Sequence, residues 1–119
     1  MSADPSANTL CRFDELSDPG SRGFSVPGPD GVWDILVVRR GREVYAYFNR
    51  CPHTGAPLDW VPDRFLDMDG QYIQCATHDA RFVIGSGRCV AGPCKGDALA
   101  PVAVAVRDGW VVMAGSQAG

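Results

Sequence analysis

Cys51-Pro52-His53-Thr54-Gly55-Ala56-Pro57-Leu58 and, further along, Cys75-Ala76-Thr77-His78 decide how this chain is read. Each stretch pairs one cysteine with one histidine, first as C-x-H and then as C-x-x-H. The only two histidines of the chain both fall inside these clusters. Two thiolates and two imidazoles suit a metal site in which the sulfurs hold one metal ion and the nitrogens another. Zinc also accepts two cysteines and two histidines, but its usual frameworks pair Cys with Cys and His with His on short elements. The interleaved order here is different.

The flanks of both clusters read as strands. Trp33-Asp34-Ile35-Leu36-Val37-Val38 and Val44-Tyr45-Ala46-Tyr47-Phe48 surround Arg40-Gly41-Arg42, a hairpin pattern that delivers the chain into the first cluster. Tyr72-Ile73-Gln74 enters the second cluster from an Asp69-Gly70 turn. Phe82-Val83-Ile84 leaves it and ends at Gly85-Ser86-Gly87. Pro27-Gly28-Pro29-Asp30-Gly31 is a dense turn signal. Near the C-terminus Val102, Val104 and Val106 alternate with small or charged residues, and Asp108-Gly109 turns the chain into Trp110-Val111-Val112-Met113. Trp33 and Trp110 read as core residues. No segment carries a helical period, so many short strands between turns predict an all-β sandwich or small barrel.

Bulk properties set limits. The chain has 119 residues, 14 glycines and 9 prolines, which fits one turn-rich domain over about 10–114, with a lead-in at 1–9 and a frayed end at 115–119. A net charge of −3 and the lack of a basic stripe weigh against nucleic acid. No apolar run is long enough for a membrane-spanning helix. Met1 to Leu10 is polar and lacks an apolar export segment, so a cytoplasmic location is expected. Five cysteines, an odd count, favour reduced thiols or metal ligands over a disulfide framework. Cys11 reads as incidental, and Cys89 and Cys94 as small side chains flanking a loop. With both histidines assigned there is no further nucleophile–base arrangement, which points to a carrier rather than a catalyst.

Cys51 to Leu58 followed by Cys75 to His78 resembles the two cluster-binding loops of Rieske-type ferredoxins, and the resemblance extends over Trp33 to Met113, including Gly92-Pro93. It implies a Rieske-like antiparallel β-sandwich or small barrel. A cluster-binding subdomain would carry ligand loops at about 51–58 and 75–82 and a covering loop at about 91–95. By the same resemblance Cys51 and Cys75 hold the inner iron of a single [2Fe–2S] cluster, and His53 and His78 hold the outer iron. Replacing two thiolates by neutral imidazoles makes the oxidised site less negative and raises the potential, to roughly −150 to +300 mV against about −400 mV for plant-type ferredoxins.

High-potential relatives carry a serine and a tyrosine shortly after the second histidine. Ala80 and Phe82 stand at those positions here, and neither ligand loop has the extra cysteine those relatives use for a disulfide. A lower-potential, ferredoxin-like centre follows. Asp79, where many members have glycine, is a departure, as is the stretch from Asp59 to Asp67. That stretch reads either as a small core under a loop or as a docking surface. The implied function is one-electron transfer from a reductase to a terminal oxygenase, both docking at the His53/His78 edge of a monomer. Two other readings stay open: a small subunit of a larger enzyme, resembling those of nitrite reductases, and a zinc-stabilised interaction module.

Overall fold

The run Ile35-Leu36-Val37-Val38 organises the molecule. In the computed structural model, which describes residues 9–28, 31–50, 52, 58, 65–67, 70–75, 80–92 and 96–113, all four of these side chains are fully buried. They lie on β3 (Gly31–Arg40), flanked by β2 (Gly20–Gly28) and β4 (Glu43–Phe48), with β8 (Pro101–Val102) beyond β4 in an antiparallel sheet ordered β2-β3-β4-β8. A strand buried on both faces reads as a continuous apolar run because each face meets its own core.

The two cores divide β3 and β4 by parity. Leu36 and Val38 join Tyr45 and Tyr47 in one core with Leu58, Phe65, Ile73, Cys75, Ala80, Phe82, Ile84, Cys89 and Leu99. Ile35 and Val37 face the other way, with Val44, Ala46 and Phe48, onto Cys11, Leu16, Val26, Val102 and Val111. The register pairs like with like: Leu36 opposite Tyr47, Val37 opposite Ala46. A slip by one residue would exchange the two faces.

The second core is closed by a sheet of β1 (Thr9–Arg12), β10 (Trp110–Met113) and β9 (Val104–Arg107), in the order β1-β10-β9. The first core is closed by β5 (Tyr72–Gln74), β6 (Arg81–Val83) and β7 (Cys89–Ala91). The expected all-β fold is therefore present: a larger antiparallel base carrying a small three-stranded subdomain. The hairpin before the first cluster, the strands around the second and the Asp108-Gly109 turn all form.

Several details differ from the expectations. β1 begins at Thr9, inside the stretch read as lead-in, because Thr9 pairs with Val112. Pro27 and Gly28 belong to β2, a strand whose glycines and serines hide its pattern, while Pro29 and Asp30 lie outside the described residues. Cys11 is a core residue rather than an incidental one. Trp33 packs edge-on against Phe48 at 4.9 Å beside that core, whereas Trp110 is half-buried with the Arg12 guanidinium 5.1 Å over its ring; Val111 takes the core position. Ala91, assigned to the covering loop, ends β7. The ends at 1–8 and 114–119 lie outside the described residues.

Tyr47 joins the base to the subdomain. Its hydroxyl donates to the Ile84 carbonyl at 2.6 Å, and its ring lies where a side chain on Gly87 would be, 2.7 Å from that ideal Cβ. Burial, with a smaller contribution from the charge of Tyr45, pushes the phenol up to about 12. The folded protein thus holds this proton more tightly than the unfolded chain, whose tyrosine titrates near 10.0. The stabilisation is complete below pH 10 and declines as pH rises toward 12. Urea denaturation across that window is expected to show falling stability, with a shallower fall in Tyr47→Phe. Leu36→Ala, which opens a cavity between the base and the subdomain, is expected to cost about 3 kcal/mol in the same assay.

Candidate metal centre

Cys75 follows directly on β5, and its side chain is fully buried among Leu58, Phe65, Ile73, Ala80 and Phe82. Its backbone N–H donates to the Ala80 carbonyl at 2.8 Å. Beyond Ala80 the chain runs into β6, which pairs with β5 in the register Gln74–Arg81, Ile73–Phe82 and Tyr72–Val83. The second ligand stretch is therefore a hairpin connection shut at its base by one backbone hydrogen bond. The segment 65–67 extends the sheet on the other side of β5: Gln74 N–H donates to Phe65 O at 2.7 Å and Asp67 N–H to Tyr72 O at 2.9 Å. Phe65 N–H in turn donates to Ser21 Oγ on β2 at 3.1 Å. Phe65 is fully buried in the core, so the small-core reading holds at this residue of the 59–67 stretch; Trp60 lies outside the described residues.

The covering strand approaches the same hairpin. Gly92 follows β7 with φ 94°, and an ideal Cβ there would stand 2.7 Å from Ala80 Cα and 3.1 Å from Ala80 N. Only the missing side chain lets the two backbones meet, and only glycine adopts this φ without strain. Cys89 is buried, as expected of a small flanking side chain, and its thiol lies 3.2 Å from the Ala91 carbonyl.

The first ligand stretch starts from β4. Asn49 N–H donates to Asp34 O on β3 at 2.8 Å, and the Asn49 side-chain oxygen accepts the Leu58 N–H at 2.7 Å. No ligand spacing marks Asn49; the signal that finds it is a turn-forming amide between a strand run and a ligand cluster. Cys51, His53 and His78 lie outside the described residues, as do Asp79, Pro93 and Cys94. Among the described residues no group of three or more His, Cys, Asp or Glu side chains is placed to hold a metal.

The position of Cys75 fits an iron–sulfur ligand. A thiolate in so apolar a pocket is costly unless a cation lies against it, and a ferric ion supplies that charge. Ala80 and Phe82 are fully buried beside Cys75 and bring no hydroxyl to the pocket.

Residues 7–106 match the Rieske [2Fe-2S] domain, and the chain belongs to that family. Its cofactor is accordingly a Rieske-type [2Fe–2S] cluster. Among solved structures, the ferredoxin of carbazole 1,9a-dioxygenase from Nocardioides aromaticivorans IC177 is 28% identical, with a TM-score of 0.71 over 90% of this chain and 94% of that one. A chain of the complex of reduced oxygenase and oxidized ferredoxin in carbazole 1,9a-dioxygenase is 25% identical, with a TM-score of 0.72 over 89% of this chain and 99% of that one. A putative NADH-dependent nitrite reductase small subunit from Mycobacterium tuberculosis, 23% identical, shares the fold, with a TM-score of 0.64 over 88% of this chain and 90% of that one. No curated protein sequence matches the chain.

Gly92→Ala is expected to force the covering strand off Ala80 and to cost about 1–3 kcal/mol. Thermal denaturation of the cluster-loaded protein, followed together with its visible absorbance, checks this: loss of colour should move to lower temperature with the unfolding transition.

Proposed function

We propose that the chain is a one-electron carrier that takes an electron from a reductase and delivers it to a terminal oxygenase. The observation that carries this reading is the buried Cys75 thiol, shut into the β5–β6 connection of a chain whose fold matches a dioxygenase ferredoxin over nearly the full length of both. Cys51 and Cys75 would hold the inner iron and His53 and His78 the outer one. When bound, the cluster would supply a reversible one-electron couple.

The residues of the chain serve that couple by packing apolar side chains into the core that holds the inner ligand. Leu58, Phe65, Ile73, Ala80 and Phe82 share the core of Cys75, and positions 80 and 82 carry no hydroxyl that could draw electron density from its sulfur. Such hydrogen bonds raise the potential where they are present, so this centre falls on the low side of the Rieske range. The edge bearing His53 and His78 is where partners would dock in turn. The chain acts as a monomeric carrier rather than a catalyst, and we place it in the cytoplasm, a reducing compartment that suits the buried thiols of Cys11, Cys75 and Cys89. No helix among the described residues is long and apolar enough to cross a membrane.

Anaerobically purified protein should contain two irons and two acid-labile sulfides per chain and give a rhombic EPR signal of low average g after dithionite reduction. Voltammetry at neutral pH should place the potential at or below about 0 mV. Cys75→Ala should bind no cluster while the base sheets still fold. A colourless, EPR-silent protein holding one zinc after reconstitution would replace this reading with the structural module. Co-purification with a large partner would replace the free carrier with a permanent subunit.

A further inference from the structure

We propose that Asn49 is a positioning residue for the cluster: its side-chain oxygen clasps the two ends of the first ligand loop together and ties them to the base sheet. Leu58 N–H donates to Asn49 Oδ1 at 2.7 Å, while Asn49 N–H donates to Asp34 O on β3 at 2.8 Å. Cys51 and His53 fall between Asn49 and Leu58 in sequence, so the proposal rests on their being ligands. The orientation of the amide is fixed by chemistry, because a backbone N–H needs an acceptor and only the oxygen end provides one.

The second ligand stretch is closed by the Cys75 N–H to Ala80 O bond between two backbone groups. Among the described residues no strand pairing joins the ends of the first; a side chain bridges them instead. A backbone hydrogen bond at this point would need β4 to continue in register, and β4 ends at Phe48, where Arg50 N–H turns back to Phe48 O at 2.8 Å. The amide spans the gap that this turn leaves. Its other end is anchored equally firmly: Leu58 is fully buried in the same core as Cys75. Through Leu58 the clasp fixes one ligand loop against the hydrophobic floor on which the other loop stands. The single residue Asn49 thus transmits the register of β3 to the ligand end of the molecule.

Oxidised, cluster-loaded wild type, Asn49→Ala and Asn49→Asp are exposed to an iron chelator, and the visible absorbance and reduction potential are followed. Asn49→Ala should lose its cluster about tenfold faster, the scale on which supporting contacts around metal ligands act, and its potential should differ from wild type. Asn49→Asp keeps an oxygen acceptor at the same reach and should restore cluster retention. Wild-type retention and an unchanged potential in Asn49→Ala, or failure of Asn49→Asp to restore retention, overturns the proposal. Should Asn49→Ala not fold, amide exchange of the wild-type protein decides. Slow exchange at Leu58, lost selectively in Asn49→Gln, supports the clasp, and rapid exchange at Leu58 in the wild type sinks it. Iron and sulfide counts on the wild type test the cluster reading separately, since Leu58 protection can be measured whether or not a cluster is bound.

Discussion

The burial of β3 on both faces is the constraint on which the rest of the molecule depends. Ile35 and Val37 complete one core and Leu36 and Val38 the other, so a single strand partitions the protein into a base and a side that holds Cys75. Period-two alternation makes the partition automatic once β3 is paired on both edges. Because each face is apolar, no register other than the observed one with β2 and β4 leaves both cores filled.

The side that holds Cys75 is joined to this strand by a few specific links. Tyr47 reaches across from β4 to the Ile84 carbonyl, with Gly87 kept bare to admit its ring. Asn49 reaches from the end of β4 to Leu58, and Ser21 on β2 accepts the Phe65 N–H. These links meet in the core that contains Cys75.

The fold does not choose among the uses to which it is put. A ferredoxin of a dioxygenase system and a putative nitrite reductase small subunit share this architecture, and function resides in sites borne by a fold rather than in the fold. That is why the functional reading here needs the donor set and the core around Cys75 in addition to the likeness of fold.

The amino-acid sequence by itself determined the strands around the two Cys/His clusters and the all-β class. Cys51, His53, Cys75 and His78 stand out in the sequence as candidate donors because thiolates and imidazoles at such spacings have few other uses, and β3, β4, β5 and β10 were legible because apolar and aromatic residues crowd into them. β2 was not legible, since Gly20, Ser21, Gly23 and Ser25 have little strand propensity and are held by nine consecutive pairings with β3. Only the tertiary structure decided which face of β3 serves which core, that Cys11 and Phe65 are interior, that Gly92 must lack a side chain against Ala80, and that Asn49 bridges to Leu58. Each of these depends on contacts between segments distant in the chain or across a loop, where local pattern carries no information and packing supplies the answer.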